Sequence, residues 1–371
     1  MLTRLAGAAT VILVAALLPL FFDASGDVVH NMVVAAAYVV MALGLNVIVG
    51  FAGLLDLGYV ASFAIGAYAT AYLGSGFRDI HLDFLVILVL AAATATLVGM
   101  AIGVPTLGLR GDYIAVVTLA FGEIIGRIAF NGRDIEFLGG PLTAGPNGIT
   151  PIDRIDLPFL EPFGALDLRP WYWVALALVA LVVVVNVRLR DSRTGRAWLA
   201  MREDETMAAG LGIPLRRTKL LAYGTGAAFG GMSGAFLASY LNTVNASQFE
   251  FSFSIFILAM VVVGGLGSVA GVVVGAVALS VVNNFVLPDV LAGVPGHLGL
   301  DFELAELSSG IFGFLLVLAM LLRPEGLVPD RRPRSPGRSP GGRMRPSSTA
   351  GTFAARGSWS PSSGGGSGRP P

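Results

Sequence analysis

Glu123 and Arg127, four residues apart in the apolar stretch AFGEIIGRIAF, are the first residues whose types and spacing could do chemistry. At that spacing they share one helical face and can neutralise each other. Ionisable groups inside membrane spans are costly, and as a rule they are paired or functional. A structural pair turned towards the interior of a helical bundle is the first expectation, and contact with a transported substrate is the second. Asp56, just after Gly53, is a third charged candidate. Asn46, Tyr38, Tyr59, Asn283 and Asn284 could add polar groups to a route through the bundle. None of these sets resembles a nucleophile with its base or a metal-ligand set. The three histidines, His30, His81 and His297, are far apart, and cysteine is absent, which rules out disulfides and thiolate metal sites. The only lysine, Lys219, is not preceded by G-x-x-x-x-G, so the chain has no P-loop. If ATP drives its work, another subunit must bind the nucleotide. No catalytic residue, metal, cofactor or nucleic-acid partner is expected.

The elements that must position these residues are membrane spans. The chain has 371 residues, of which 55% are hydrophobic and 13% charged. Its apolar residues come in blocks near the roughly 20 residues that a spanning helix needs. Ten blocks are expected to span, at 5–22, 28–49, 54–73, 84–104, 113–130, 171–187, 220–241, 254–265, 269–287 and 310–322. The first could instead be a signal peptide, with Ala24 and Gly26 near the cleavage site. Residues 131–170, rich in Pro and Gly, form the longest interior loop and leave no room for a long helix. Residues 1–330 are thus expected to be an all-α, polytopic membrane domain. Residues 331–371, rich in Arg, Pro, Ser and Gly, cannot bury a core and are expected to be a disordered tail.

One long polar interruption, residues 188–219, divides the apolar blocks. Within it AWLAMREDETMAAGL reads as a short amphipathic helix with Trp198, Met201 and Ala208 on one face. Arg202, Glu203, Asp204 and Glu205 crowd the other. Eight basic residues lie between Arg188 and Lys219, and such loops are retained in the cytoplasm. Ten spans would then put both termini on the same, cytoplasmic side. Small residues four apart, at Gly226-Gly230-Gly234, Gly267-Gly271-Gly275 and Ser62-Gly66-Thr70, are expected to let helices pack closely. A short repeat, V-G-x-x-G, occurs at 49–53 and again at 263–267, each at a turn between paired spans.

The order of residues adds a resemblance. GRAWLAMREDETMAAGLGI is similar to the coupling segment of the permeases of branched-chain amino acid ABC importers. LGLNVIVGFAGLLDLGYVASFAIGAYATAYL, LRGDYIAVVTLAFGEIIGRI, GPNGI, ILAMVVVGGLGSVAGVVVGA and LLRPEGLVP are similar in order and spacing to the M-type permeases of that family. The resemblance covers about residues 30–329. Departures fall at Met207, Ala209 and Gly210, where the family more often has Ala, Glu and Ala, and Gly210 is expected to fray the helix end. The resemblance implies a transport subunit of the bacterial cytoplasmic membrane with no nucleotide site of its own. Two ABC ATPases would dock on residues 195–213, with Gly195, Arg202, Glu203, Asp204, Glu205, Ala208 and Gly212 as the coupling residues. A homologous H-type permease, an extracytoplasmic substrate-binding protein, membrane lipid and an amino acid substrate complete the expected partners. Asn46, Asp56, Tyr59, Glu123, Arg127 and Asn283 are the candidates for the substrate path. Urea and short-amide importers use close relatives. A self-sufficient secondary transporter, with Asp56, Glu123 or Arg127 coupling an ion, would leave the amphipathic segment without a role.

Overall fold

The computed structural model describes residues 14–109, 111–137, 140–155, 163–164, 167–284, 313 and 326–328. Half of the expected first span, residues 5–13, lies outside the described residues, as do His297, the tail from 331 and the tenth span apart from Gly313. In chain order the helices are α1 (Asp27–Leu45), α2 (Val60–Leu73), α3 (Phe84–Thr106), α4 (Asp112–Asn131) and α5 (Arg169–Asp191). They continue with α6 (Arg193–Glu203), α7 (Glu205–Gly210), α8 (Leu215–Leu241), α9 (Phe251–Gly264) and α10 (Val269–Val281). Two small hairpins join β1 (Gly74–Ser75) to β2 (Ile80–His81) and β3 (Glu136–Phe137) to β4 (Gly140–Pro141). Among the described residues, four helical stretches, Asp27–Phe51, Phe84–Thr106, Asp112–Asp134 and Arg169–Asp191, are long and apolar enough to cross a membrane.

The second and third expected spans meet differently from the sequence reading. α1 widens into a π-helical turn at Asn46–Phe51, and α2 starts only at Val60, six residues later than the expected span at 54. Gly53, at φ 71°, turns the chain out of the helix. The irregular backbone that follows is largely buried, so its amides need partners inside the protein. Side chains supply them. Asp56 Oδ1 accepts from Gly58 N at 2.9 Å, Thr118 Oγ1 from Leu57 N at 3.0 Å and Ser254 Oγ from Val60 N at 3.1 Å. α4 and α9 therefore hold the broken segment in place.

α8 is the axis of the bundle and packs against α1, α2 and α3. The glycine ladders are the contact surfaces. A Cβ at Gly226 would come within 2.5 Å of Ile48, one at Gly230 would press on Ser62 and Tyr59, and one at Gly231 would meet Ala95 and Ala91 of α3. On α2, a Cβ at Gly66 would run into the backbone of Gly231. In the third ladder, Gly271 and Gly275 pack on α9, whereas Gly267 sits before α10 in a turn at φ 85°. Lipid tails are as apolar as the helices, so close packing and hydrogen bonds across helices hold such bundles together. Bonds of this kind to α8 include Tyr59 OH donating to Gly226 O (2.8 Å) and Ser233 Oγ donating to Ala37 O (2.8 Å).

The 27 residues of α8 separate its ends by about 40 Å. At the Asn242 end, Asn242 Oδ1 accepts from Ile152 N at 2.8 Å, and Ile149 pairs with Val244. There too the hairpin of β1 and β2 is tied to the loop by Ser75 against Ile152 and by His81 Nδ1 and Asp153 Oδ2 at 2.6 Å. Hydrogen bonding to Asp153, then its charge, raises the pKa of the exposed His81. As the Pro and Gly content predicts, no long helix forms in the described part of 131–168. Residues 193–210 gather at the opposite end of α8.

Gly66→Ala should lower the thermal midpoint of the purified protein, because the methyl must displace the backbone of Gly231, a loss of about 1–3 kcal/mol. Gly76→Ala, where a Cβ meets nothing within 4 Å, is the control and should leave the midpoint unchanged.

Candidate functional site

The site is built at the corner between α5 and α8. Ser192 ends the long helix and caps the next, its Oγ accepting from Gly195 N at 3.1 Å. A Cβ at Gly195 would strike the carbonyl oxygens of Leu189 and Arg190, so this tight corner requires glycine. Trp198, Met201 and Ala208 are all buried, as the amphipathic pattern predicts. The Trp198 indole donates to Thr218 O at 2.8 Å and pins α6 to the first turns of α8.

The expected single helix over 197–211 is two helices. Asp204 leaves the helical region at φ −156° and ψ 110°, and its Oδ1 accepts from Thr206 N at 2.8 Å and Met207 N at 2.9 Å. It is the N-cap of α7, a position where an acidic side chain is worth about 1 kcal/mol. α7 stops where expected. Gly212 adopts φ 84°, with Gly212 N bonded to Ala209 O (2.9 Å) and Ile213 N to Ala208 O (3.1 Å). That bond pattern is the Schellman stop, which favours glycine at this position.

The charged face does not point one way. Glu205 Oε1 meets Lys219 Nζ at 2.7 Å, and Lys219 is only 1% exposed. Glu205, expected on the outer face, is therefore an internal tie, because the buried ammonium at the start of α8 needs a carboxylate. Arg202 is exposed, yet its Nη1 donates to Gly50 O. A Cβ at Gly53 would come 2.7 Å from Arg202 Cγ, and one at Gly267 would come 3.0 Å from Arg202 Nη1. The two copies of V-G-x-x-G thus meet around one guanidinium. Asn46 Oδ1 completes the junction by accepting from Gly267 N at 2.9 Å. Met207 and Leu211 remain on the outside, 66% and 75% exposed, beside the exposed Glu203, Asp204 and Ala209. An open groove of about 590 Å³ lies next to them, lined by the 107–109 turn, Glu205 and the 213–217 segment.

Sequence reasoning missed the burial of Lys219, Trp198 as an anchor, the bond from Arg202 to Gly50 and the inward turn of Glu205. One signal was available for Lys219: the chain's only lysine stands at the head of an apolar run.

The path candidates do not form one cluster. Asn46, Asp56 and Tyr59 are buried and bonded to the backbone of Gly267, Gly58 and Gly226. Tyr38 lies edge-on to Phe253 and Phe256, and Asn283 Nδ2 donates to Asn284 Oδ1 at 2.9 Å. The expectation of an interior Glu123–Arg127 pair is overturned. Both residues are on the exposed face of α4, and no ion pair joins them among the described residues. The i,i+4 spacing sets a shared face but not its direction. Gly122, packed on Gly58, and Thr118, bonded to Leu57, claim the buried side. A charge facing hydrocarbon at that depth would cost about 2.5–3.5 kcal/mol. No group of three or more metal-ligating side chains occurs among the described residues.

Glu205→Gln should leave the buried Lys219 uncompensated and lower stability in detergent by on the order of 3 kcal/mol. Adding Lys219→Met should recover much of it, because a buried pair can be exchanged for apolar packing. Thermal midpoints of the two variants check this. A single variant as stable as the wild type would remove the pair from the account.

Comparison with known proteins agrees with this architecture. Residues 28–320 match the family described as branched-chain amino acid transport system / permease component. The high-affinity branched-chain amino acid transport system permease protein LivM of Escherichia coli is 39% identical over 317 residues, 80% of this chain and 69% of the relative. A probable LivM permease of Methanocaldococcus jannaschii is 26% identical over 328 residues, 79% of this chain and 91% of the relative. The LivH permease of E. coli is 23% identical over 306 residues, 81% of this chain and 93% of the relative. No solved structure matches. This all-α, multi-pass membrane chain belongs to the family of branched-chain amino acid transport system permease components.

Proposed function

We infer that the chain is the M-type permease subunit of an ABC importer and moves branched-chain amino acids across the cytoplasmic membrane of a bacterium. One observation carries the mechanism: an element with an exposed apolar pair, Met207 and Leu211, is tied to the core by Glu205–Lys219 and Arg202–Gly50. A surface of that kind is suited to receive a moving partner and pass its displacement inward. Residues 188–219 would face the cytoplasm, as their basic residues favour, and both termini would lie on that side. Residues 131–170 would face outwards. The permease body would be residues 1–330, with 331–371 as a tail outside it.

Two ATPase subunits would hydrolyse the nucleotide, one of them docking on 195–213 of this chain. A homologous H-type permease would complete the membrane unit, and an extracytoplasmic binding protein would deliver the amino acid. When the ATPases close on ATP, α6 and α7 shift with the start of α8. Arg202 carries the shift to the turns at Gly50 and Gly267, and the bundle changes the side on which its route is open. Substrate specificity follows the family: the relatives named above are branched-chain amino acid permeases.

Met207→Glu with Leu211→Glu tests the docking reading. Both side chains are on the water-exposed surface, so stability should change by no more than about 0.5 kcal/mol at each site. The double variant should insert and fold normally but lose its ATPase on co-purification, and leucine uptake should fall to background. Full ATPase retention with full uptake would remove α7 from the docking surface.

A further inference from the structure

The open groove of about 590 Å³ beside α7 has a lining of two chemistries. Leu107, Ile213 and Leu215, all half-buried, give it apolar surface, and the exposed Arg216 and Arg217 give it positive charge. Glu205, the carboxylate in the lining, is already engaged by Lys219. The first turn of α8 holds no acidic residue, and no ion pair or hydrogen bond engages Arg216 or Arg217 among the described residues. Two guanidiniums therefore stand together without a counter-charge from this part of the chain. Lys219 Nζ also donates to Leu109 O at 3.5 Å, which ties the 107–109 turn to the start of α8.

The groove continues into a surface that suits hydrocarbon. On α3, Leu97, Ala101 and Val104 are exposed at spacings of four and three residues, so they form one stripe. The next step of four reaches Gly108, exposed just past the end of the helix and part of the groove lining. The other side of α3 is taken by α8: a Cβ at Gly99 would meet Ala227, and one at Gly103 would meet Tyr223. A ligand that fits both the groove and the stripe needs an anionic head and an apolar tail.

We propose that the groove is a binding site for an anionic glycerophospholipid of the cytoplasmic leaflet. Its phosphodiester accepts from Arg216 and Arg217, whose planar guanidiniums match phosphate oxygens. The glycerol backbone rests on Leu107, Ile213 and Leu215, and an acyl chain follows Val104, Ala101 and Leu97 into the bilayer. The site rests on the placement of residues 188–219 at the cytoplasmic surface, where the leaflet carries anionic lipid, and not on the identity of the cargo. An acidic segment of an ATPase would also meet the arginines, but it would leave the apolar lining and the α3 stripe uncovered. A bound lipid joins the 107–109 turn to the corner between α7 and α8, the same corner that Glu205 and Lys219 hold.

The test uses the absence of cysteine from this chain. Gly108→Cys reports on the groove, and Gly210→Cys, exposed on α7 outside the lining, is the control. A Cβ at either glycine meets nothing within 4 Å. The complete complex is reconstituted in phosphatidylcholine with or without phosphatidylglycerol, and alkylation of this chain by N-ethylmaleimide is followed. Phosphatidylglycerol should slow the reaction at position 108 by about tenfold or more relative to position 210. Arg216→Gln with Arg217→Gln should remove that protection. Both side chains are exposed, so the variant should keep the parent's thermal midpoint in phosphatidylcholine. The lipid effect should persist after the ATPases have been stripped from the membranes. Equal rates at position 108 in the two lipid mixtures, or protection that survives the glutamine variant, would overturn the proposal. So would equal protection by inorganic phosphate in pure phosphatidylcholine, which would make the groove a site for a free anion. Protection that follows the ATPase and not the lipid would assign the groove to the docking surface, again overturning it. Placement is checked separately, with a charged, impermeant maleimide on intact cells, which should leave Gly108→Cys unlabelled. Labelling from outside would overturn the cytoplasmic placement and the lipid site with it. No labelling from outside together with no lipid effect overturns the lipid site alone.

Discussion

One buried cation sets the terms at the end of the bundle that carries α6 and α7. Lys219 is 1% exposed at the head of α8, the helix that packs against α1, α2 and α3, and its ammonium meets Glu205 of α7. A buried charge without its partner is far more costly than the pair. The short surface helix therefore cannot peel away from α8 without a large penalty. Trp198 adds a second attachment to the same first turns of α8. α6, α7 and the start of α8 are in consequence one mechanical unit, and any force on Met207 or Leu211 is applied to the central axis of the permease.

The unit reaches the rest of the bundle through places where regular helix has been given up. The π turn at Asn46–Phe51, the irregular run to Tyr59 and the turn at Gly267 are held by side chains in place of helical bonds. Arg202 and Asn46 link two of these turns to each other and, through Gly50, to α6. Backbone of this kind survives in a membrane protein only where protein surrounds it. It is also where a helix bends most easily, because few ladder bonds resist the motion. Gly44, Gly226, Gly230 and Gly66 let α1, α2 and α8 cross closely beside these turns, and the sliding surfaces carry little side-chain bulk.

Much of the architecture was legible in the sequence. The boundaries of α3, α4 and α5 follow the apolar runs within about four residues. The buried face of Trp198, Met201 and Ala208 and the stop at Gly212 also follow from local pattern, because they depend on neighbours in sequence. What could not be read depends on neighbours in space. Asp204 in R-E-D-E-T is compatible with helix continuation or with a cap, and the fold uses it as a cap. The late start of α2 depends on amides satisfied by Thr118 and Ser254, 61 and 194 residues away. Glu205 looked like a surface charge because its partner lies on another helix. Glu123 and Arg127 were placed on a common face correctly and turned the wrong way, because glycine and threonine on the same helix took the interior.

Arg202 is the most direct test of the account, since it touches both repeated turns while leaving the exposed apolar pair on α7 untouched. The measurement is ATP hydrolysis and leucine uptake, side by side, in proteoliposomes holding the complete importer with Arg202→Met. The account predicts that the ATPase stays bound and hydrolyses ATP at close to the wild-type rate while uptake falls to background. Uptake that remains in proportion to hydrolysis would contradict it, because force would then be reaching the bundle without the Arg202 junction.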